Sequence, residues 1–188
     1  MRAGPREVRI NGGIWKRTPL PVADVPGLRP TPERVRQTLF NWLGQTLTGW
    51  RCVDAYAGTG ALGFEAASRG ASEVVLVERD REVVRLLLAT RERLGAEALV
   101  RVERGDALAW LARCAPDAYD LVFLDPPFDS PVTVDALAGA ARIVRPGGRV
   151  YVESGQAVEV SQSVPLEKLR EGRAGSVRFA LFGKPNRA

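Results

Sequence analysis

Val53-Asp54-Ala55-Tyr56-Ala57-Gly58-Thr59-Gly60-Ala61-Leu62-Gly63 is the stretch whose reading decides the fold of this chain. Cys52-Val53-Asp54 reads as a short strand, and Leu62–Ser68 as a helix that begins beyond the glycines. Gly58, Gly60 and Gly63 satisfy G-x-G-x-x-G, a spacing that lets the chain turn sharply and lets a ligand approach the backbone at a helix N-terminus. Many α/β turns share two such glycines, so the spacing needs support. Glu78 supplies it, 18 residues after Gly60 at the end of the next expected strand, where a carboxylate can accept ribose hydroxyl hydrogens.

Outward from this turn, apolar runs and helical stretches alternate. Strand Val74–Glu78 precedes a helix over Arg81–Leu94, and strand Leu99–Val102 leads through Gly105-Asp106 to a helix over Ala107–Arg113. Strand Leu121–Leu124 is followed by a helix over Val132–Ile143, a turn at Arg145–Gly148 and strand Val150–Glu153. Such alternation predicts a parallel sheet with right-handed crossovers and helices on both faces. Two strands, Leu166–Arg170 and Ser176–Phe182, are expected to close the chain, joined by Glu171–Gly175. Ahead of the first glycine turn, Thr31 reads as the N-cap of a helix with Pro32 at its first position and Glu33 in its first turn. Its apolar positions Val35, Leu39, Leu43 and Leu47 recur every four residues, and Thr48-Gly49 ends it. Earlier still, Val8–Ile10 and Ile14–Lys16 flank Asn11-Gly12-Gly13, a hairpin signal.

Asp125-Pro126-Pro127-Phe128 follows the apolar run Leu121–Leu124 directly. Two consecutive prolines forbid strand continuation, which leaves a stiff loop at the carboxyl end of a strand, where open α/β sheets bind ligands. Two cofactors fit the glycine turn: NAD and S-adenosylmethionine. Asp54, four residues before Gly58, favours the second, because its charge is unwelcome to a pyrophosphate and suits a sulfonium and an amino group. Asp106 can accept from an adenine amine or simply cap the helix that follows it. With a methyl donor on the first strand, Asp125 and the backbone carbonyls of the proline loop are acceptors that can hold an exocyclic or amide NH₂. Phe128 offers a face for a flipped-out ring. Such a displacement gains from positioning and needs no covalent nucleophile.

Composition removes other chemistries. The chain has no histidine, which excludes a His base and imidazole metal sites, and its two cysteines, Cys52 and Cys114, lack metal or disulfide spacing. No metal is expected. A hydrophobic content of 45% supports a sizeable core, and the apolar runs are too short for a bilayer, so a cytoplasmic monomer without a membrane partner or secretion signal is expected. Charge is unevenly placed. Residues 1–36 carry eight basic and three acidic groups, whereas the other 152 residues carry 19 of each, so the net +5 sits in the first fifth of the chain. Arg9, Lys16, Arg17, Arg29, Arg34 and Arg36 read there as a footprint for a polyanion.

These motifs together resemble a known family. Asp54–Gly60 and Asp125–Phe128 are similar to the first and fourth motifs of amino-methyltransferases. Arg29-Pro30-Thr31-Pro32-Glu33-Arg34-Val35-Arg36-Gln37-Thr38-Leu39-Phe40-Asn41-Trp42-Leu43 resembles the bacterial RsmD family, as do Arg9–Lys16 and Val152-Glu153-Ser154, over residues 8–182 in all. The resemblance implies an α/β, Rossmann-like class I methyltransferase with a mostly parallel seven-stranded sheet, a C-terminal antiparallel hairpin and a small N-terminal β-hairpin. It divides the chain into a basic arm and connector (1–30) and a methyltransferase domain (31–188). It implies methylation of a guanine N2 amine in 16S ribosomal RNA, or of RNA within the small ribosomal subunit. Asp54, Ala55, Gly58, Gly60, Glu78, Arg79, Asp106 and Ala107 would then hold S-adenosylmethionine, and Asp125, Pro126, Pro127 and Phe128 the amine. Other amine targets, adenine N6 or a glutamine amide, use similar loops. The C-terminal Gly175-Ser176-Val177-Arg178-Phe179 departs from the family's Gly-aromatic pattern.

Overall fold

The computed structural model describes residues 7–127 and 134–186. Among these described residues five helices, α1 (Glu33–Leu43), α2 (Ala61–Ser68), α3 (Arg81–Arg93), α4 (Ala107–Arg113) and α5 (Val134–Ile143), cover the two faces of one sheet. Chain-terminal β1 (Glu7–Arg9) and β2 (Pro19–Pro21) form a separate two-stranded ribbon. The main sheet contains β3 (Arg51–Asp54), β4 (Glu73–Glu78), β5 (Val100–Arg104), β6 (Tyr119–Leu124), β7 (Val144–Ser154), β8 (Glu167–Ala174) and β9 (Val177–Gly183). Their order is β5-β4-β3-β6-β7-β9-β8. The first five pair in parallel, while β9 runs antiparallel to both β7 and β8.

The core follows from strand alternation. Cys52, Val74, Leu76, Leu121 and Phe123 face Val35, Leu39, Phe40, Phe64 and Leu87 on one side. Val53, Val75, Val77, Val122 and Val150 face Trp110, Leu111, Leu137 and Ala140 on the other. Both faces are dry, which is why the parallel strands read as unbroken apolar runs. The order reverses at β3, so the topological switch point lies between β3 and β6, and the glycine turn and Asp125 open there. Among the described residues no helix is long and apolar enough to cross a membrane.

Five local expectations are corrected. Ile14–Lys16 is no strand: β1 pairs instead with β2, with Val8 opposite Leu20. The Asn-Gly-Gly segment serves a different purpose, because a side chain on Gly13 would lie 1.8 Å from the Ser68 carbonyl oxygen. That closeness lets Ile14 N donate to Ser68 O and Trp15 N to Ser68 Oγ, both at 2.9 Å, mooring the loop on the end of α2. Helix α1 stops at Leu43, before Leu47, because Gly44 takes φ 98°. Pro32 occupies the cap position of α1 without a side-chain bond, and Thr31 is engaged elsewhere. Strand β8 continues to Ala174, so the final turn is only Gly175-Ser176. The expected turn at Arg145–Gly148 is a bulge within β7, between the pairs Tyr119–Val144 and Leu121–Arg149.

Candidate active site

Strand β3 ends at Asp54, and the chain then crosses over the sheet edge held by Ala55 N to Phe123 O (3.1 Å) and Ala57 N to Val77 O (2.9 Å). Gly60 takes φ +74°, where a side chain would also meet the Phe64 ring at 2.6 Å, so only glycine admits this start to α2. Asp54 Oδ2 accepts from Gly63 N at 3.2 Å, which places the carboxyl at the start of α2. Among the described residues its buried Oδ1 has no hydrogen-bond partner. Burial, then the charges of Asp125 and Glu78, push its pKa up to about 7. An orphaned acidic oxygen beside a glycine turn fits a cationic or amine-bearing ligand and opposes an anionic one.

Glu78 at the end of β4 accepts from Gly58 N at 3.0 Å and from Asp80 N at 2.9 Å. It thereby holds the glycine turn in place. A carboxylate has about four lone-pair sites, so these two bonds leave acceptor capacity for ribose hydroxyls. Asp106 is exposed and caps α4 through Ala109 N at 2.9 Å, so the capping role is real and occupies Oδ1. The Tyr56 hydroxyl is shifted upward by burial and by Asp106 and eased by Arg79, which brings these three around the β4–β5 side of the turn. Ala55 and Ala107 are buried beside them. The connector after β2 leans over the turn, since a side chain on Gly58 would touch Leu28 Cδ1 at 3.1 Å.

At the end of β6, Asp125 Oδ2 accepts from Thr31 Oγ1 at 2.9 Å. Burial raises the Asp125 pKa to about 6, against the opposing effect of that hydroxyl bond. Glu153 near the end of β7 is 5% exposed and accepts from the Tyr151 hydroxyl at 2.9 Å. Burial, then Asp125, hold its pKa well above the usual carboxylate range, and the Thr31 hydroxyl also faces it. Asp54, Asp125 and Glu153 therefore form one acidic wall across β3, β6 and β7, with Asp54 and Glu153 both sensing the charge of Asp125. Pro126 is buried and Pro127 exposed, whereas Phe128 lies outside the described residues.

The expected basic footprint divides. Arg9, Lys16, Arg17, Arg29 and Arg34 are exposed. Arg36 is not: it is 1% exposed, pairs with Glu65 at 3.0 Å and donates to the Arg9 carbonyl at 2.9 Å. Glu65 also holds Arg69 at 2.8 Å. Arg36 thus anchors the N-terminal ribbon to α2 and offers no guanidinium to a polyanion, a correction to its reading as a surface contact.

Comparison with known proteins fits this geometry. A family model described as Conserved hypothetical protein 95 matches residues 8–183. The Ribosomal RNA small subunit methyltransferase D of Escherichia coli strain K12 is 38% identical over 96% of this chain and 91% of its own length. The chain belongs to the RsmD family. The Haemophilus influenzae protein of the same name is 34% identical over 94% of this chain and 93% of its own. The solved structure of the Escherichia coli protein yhhF, described as a methyltransferase, superposes with a TM-score of 0.83 at 36% identity, covering 96% and 99% of the two chains. The fold is thus the Rossmann-like methyltransferase fold of the RsmD family, with its antiparallel strands at the carboxyl terminus.

Within that family frame, two residues enter the site that local motif reading did not assign. Thr31 looks like a helix cap, and its acceptor lies 94 positions away. Glu153 closes the expected strand Val150–Glu153, and no motif there assigns it a role. The only signal for it was its place in Val152-Glu153-Ser154, at the same sheet edge as Asp125.

Proposed function

We propose that this chain transfers a methyl group from S-adenosylmethionine to the exocyclic N2 amine of a guanine in small-subunit (16S) ribosomal RNA. The observation that carries the reading is the acidic wall of Asp54, Asp125 and Glu153 at the β3–β6 switch point, sheltered from solvent beside the glycine turn. Relatives that share most of the chain carry the name ribosomal RNA small subunit methyltransferase D, which supports RNA as the substrate and the cytoplasm as the place of action.

S-adenosylmethionine, when bound, supplies a methyl group on a positively charged sulfur. Asp54 would face its amino-acid end, Glu78 its ribose and Asp106 its adenine amine, with Ala55, Gly58, Gly60, Arg79 and Ala107 lining the turn. Asp125 accepts one hydrogen of the guanine amine, and the rigid proline backbone offers a carbonyl for the other. Both contacts turn the nitrogen lone pair toward the methyl side, the kind of positioning that lowers a displacement barrier. Asp125, ionised above about pH 6, can also take the proton that the nitrogen sheds once its new bond to carbon has formed. Phe128, by its sequence position, offers a stacking face. Arg9, Lys16, Arg17, Arg29 and Arg34 would contact the RNA backbone. The experiment is nucleoside mass spectrometry of 16S RNA from cells lacking the gene. Loss of one N2-methylguanine is expected, and unchanged modification overturns the reading.

A further inference from the structure

The sheet continues past Asp125 away from the glycine turn, and what it carries there has no part in holding a methyl donor. Because β9 is antiparallel, its start and the end of β8 come to the same sheet edge as the carboxyl ends of β6 and β7. Ser154, Arg178 and Arg173 form one rung at that edge, on neighbouring strands β7, β9 and β8. With strands ~4.8 Å apart, Arg178 lies roughly 10 Å from the strand of Asp125, and Arg173 roughly 15 Å.

A cavity of about 240 Å³ opens beside this rung. Ala157 and Val158 give it an apolar lining over the buried Val152 and Ala180, and Lys168, Arg173 and Arg178 give it three cations. Its one acid, Glu171, is paired with Lys168 at 3.1 Å. Arg173 is steadied by its Nε bond to Gly175 O at 2.8 Å. The volume falls below the ~300–1,000 Å³ typical of drug-sized ligands, so it suits a single base better than a second cofactor. Arginines beside an apolar surface match one nucleotide: guanidinium forks for phosphate and aliphatic side chains for the ring.

We infer that this cavity seats the nucleotide next to the target guanine, its base against Ala157 and Val158 and its phosphate on Arg173 and Arg178. The inference rests on the RNA reading above and extends it. Substrate RNA would then run along the carboxyl edge from β6 across β7 to β9 and β8. A base seated there holds the strand while the guanine is turned out toward Asp125, which offsets part of the cost of unstacking.

The test compares wild type with the double variant Arg173→Gln/Arg178→Gln, using a 16S RNA fragment and its copy carrying an abasic site beside the target. Tritiated-methyl kinetics on the wild type come first, and failure to methylate the intact fragment would sink the RNA reading itself. Given wild-type activity, the double variant should raise the KM for RNA at least tenfold. It should also reduce the magnitude of the log–log salt slope of RNA binding by about 1.4, from two single-strand contacts at ~0.7 each. S-adenosylmethionine affinity should stay within twofold, a readout that reports intact folding. The abasic fragment should weaken wild type by a similar factor. If the RNA KM and salt slope of the folded double variant match wild type, or if the abasic fragment reacts normally, the cavity does not seat a nucleotide.

Discussion

Thr31 Oγ1 donates to Asp125 Oδ2 at 2.9 Å, joining the residue just ahead of α1 to the end of β6. A hydroxyl aimed at a carboxylate favours its charged form, and here it opposes the burial that lifts Asp125 to about 6. Thr31→Val keeps the shape and removes the donor. The acid limb of the kcat/KM–pH profile should therefore move upward from about 6, while Thr31→Ser should restore it. An unchanged limb in Thr31→Val would show that the hydroxyl does not tune Asp125.

Asp125→Ala removes a side-chain acceptor at the end of β6 but leaves the glycine turn and Glu78 untouched. Methyl transfer should fall by ~10³ or more, the scale seen when a positioning and electrostatic contact is lost. S-adenosylmethionine binding by calorimetry should persist. Near wild-type turnover in a tritiated-methyl assay would remove Asp125 from the mechanism.

The acidic wall also sets a pH dependence of stability. Asp54 and Asp125 hold their protons in the folded state up to about 7 and about 6, against ~3.9 in the unfolded chain. Between those values the native state binds more protons than the unfolded chain, so the free energy of unfolding falls as pH rises. For Asp54 the full effect is up to about 4 kcal/mol. Ligand-free protein should lose urea resistance between pH 5 and 8 relative to Asp54→Asn, in which the slope flattens. S-adenosylmethionine, a cation at this wall, should bind more tightly at pH 8 than at pH 5.5. Stability of the parent rising over that range relative to the variant would contradict the buried, raised carboxyl.

Much of this was legible in the chain because it is local. The Asp54–Gly63 turn and the Asp125 loop combine a strand pattern with residues whose backbone limits are strong, so glycine and proline announce them. Thr31 was misread for the opposite reason. Thr-Pro-Glu carries every local mark of a helix start, and only tertiary contact with Asp125 diverts the hydroxyl. Arg36 sits in a basic run and looks solvated, because its buried partner Glu65 is 29 positions away. Gly12-Gly13 reads as a hairpin turn, yet its small size is needed for the approach to Ser68. Strand β8 was cut short because Lys168–Arg173, at the sheet edge, carries few apolar residues to mark its alternation.

Burial separates two sets of arginines that look alike in sequence, and this gives opposite expectations for them. Arg36 lies against Glu65 with almost no exposure, whereas Arg17 is exposed on the loop between β1 and β2. Removing one partner of a buried ion pair costs ~3–5 kcal/mol, because the other charge is left in a dry interior. Arg36→Leu should therefore lower the urea midpoint sharply and loosen the N-terminal ribbon, seen as faster amide exchange at Ile10 and Ile14. The salt slope of RNA binding by the folded fraction should not change. Charge reversal of Arg9, Lys16 and Arg17 should do the reverse, with folding stability within about 0.5 kcal/mol and a salt slope smaller by roughly two to three contacts. A stable Arg36→Leu protein with a reduced salt slope would return Arg36 to the RNA surface.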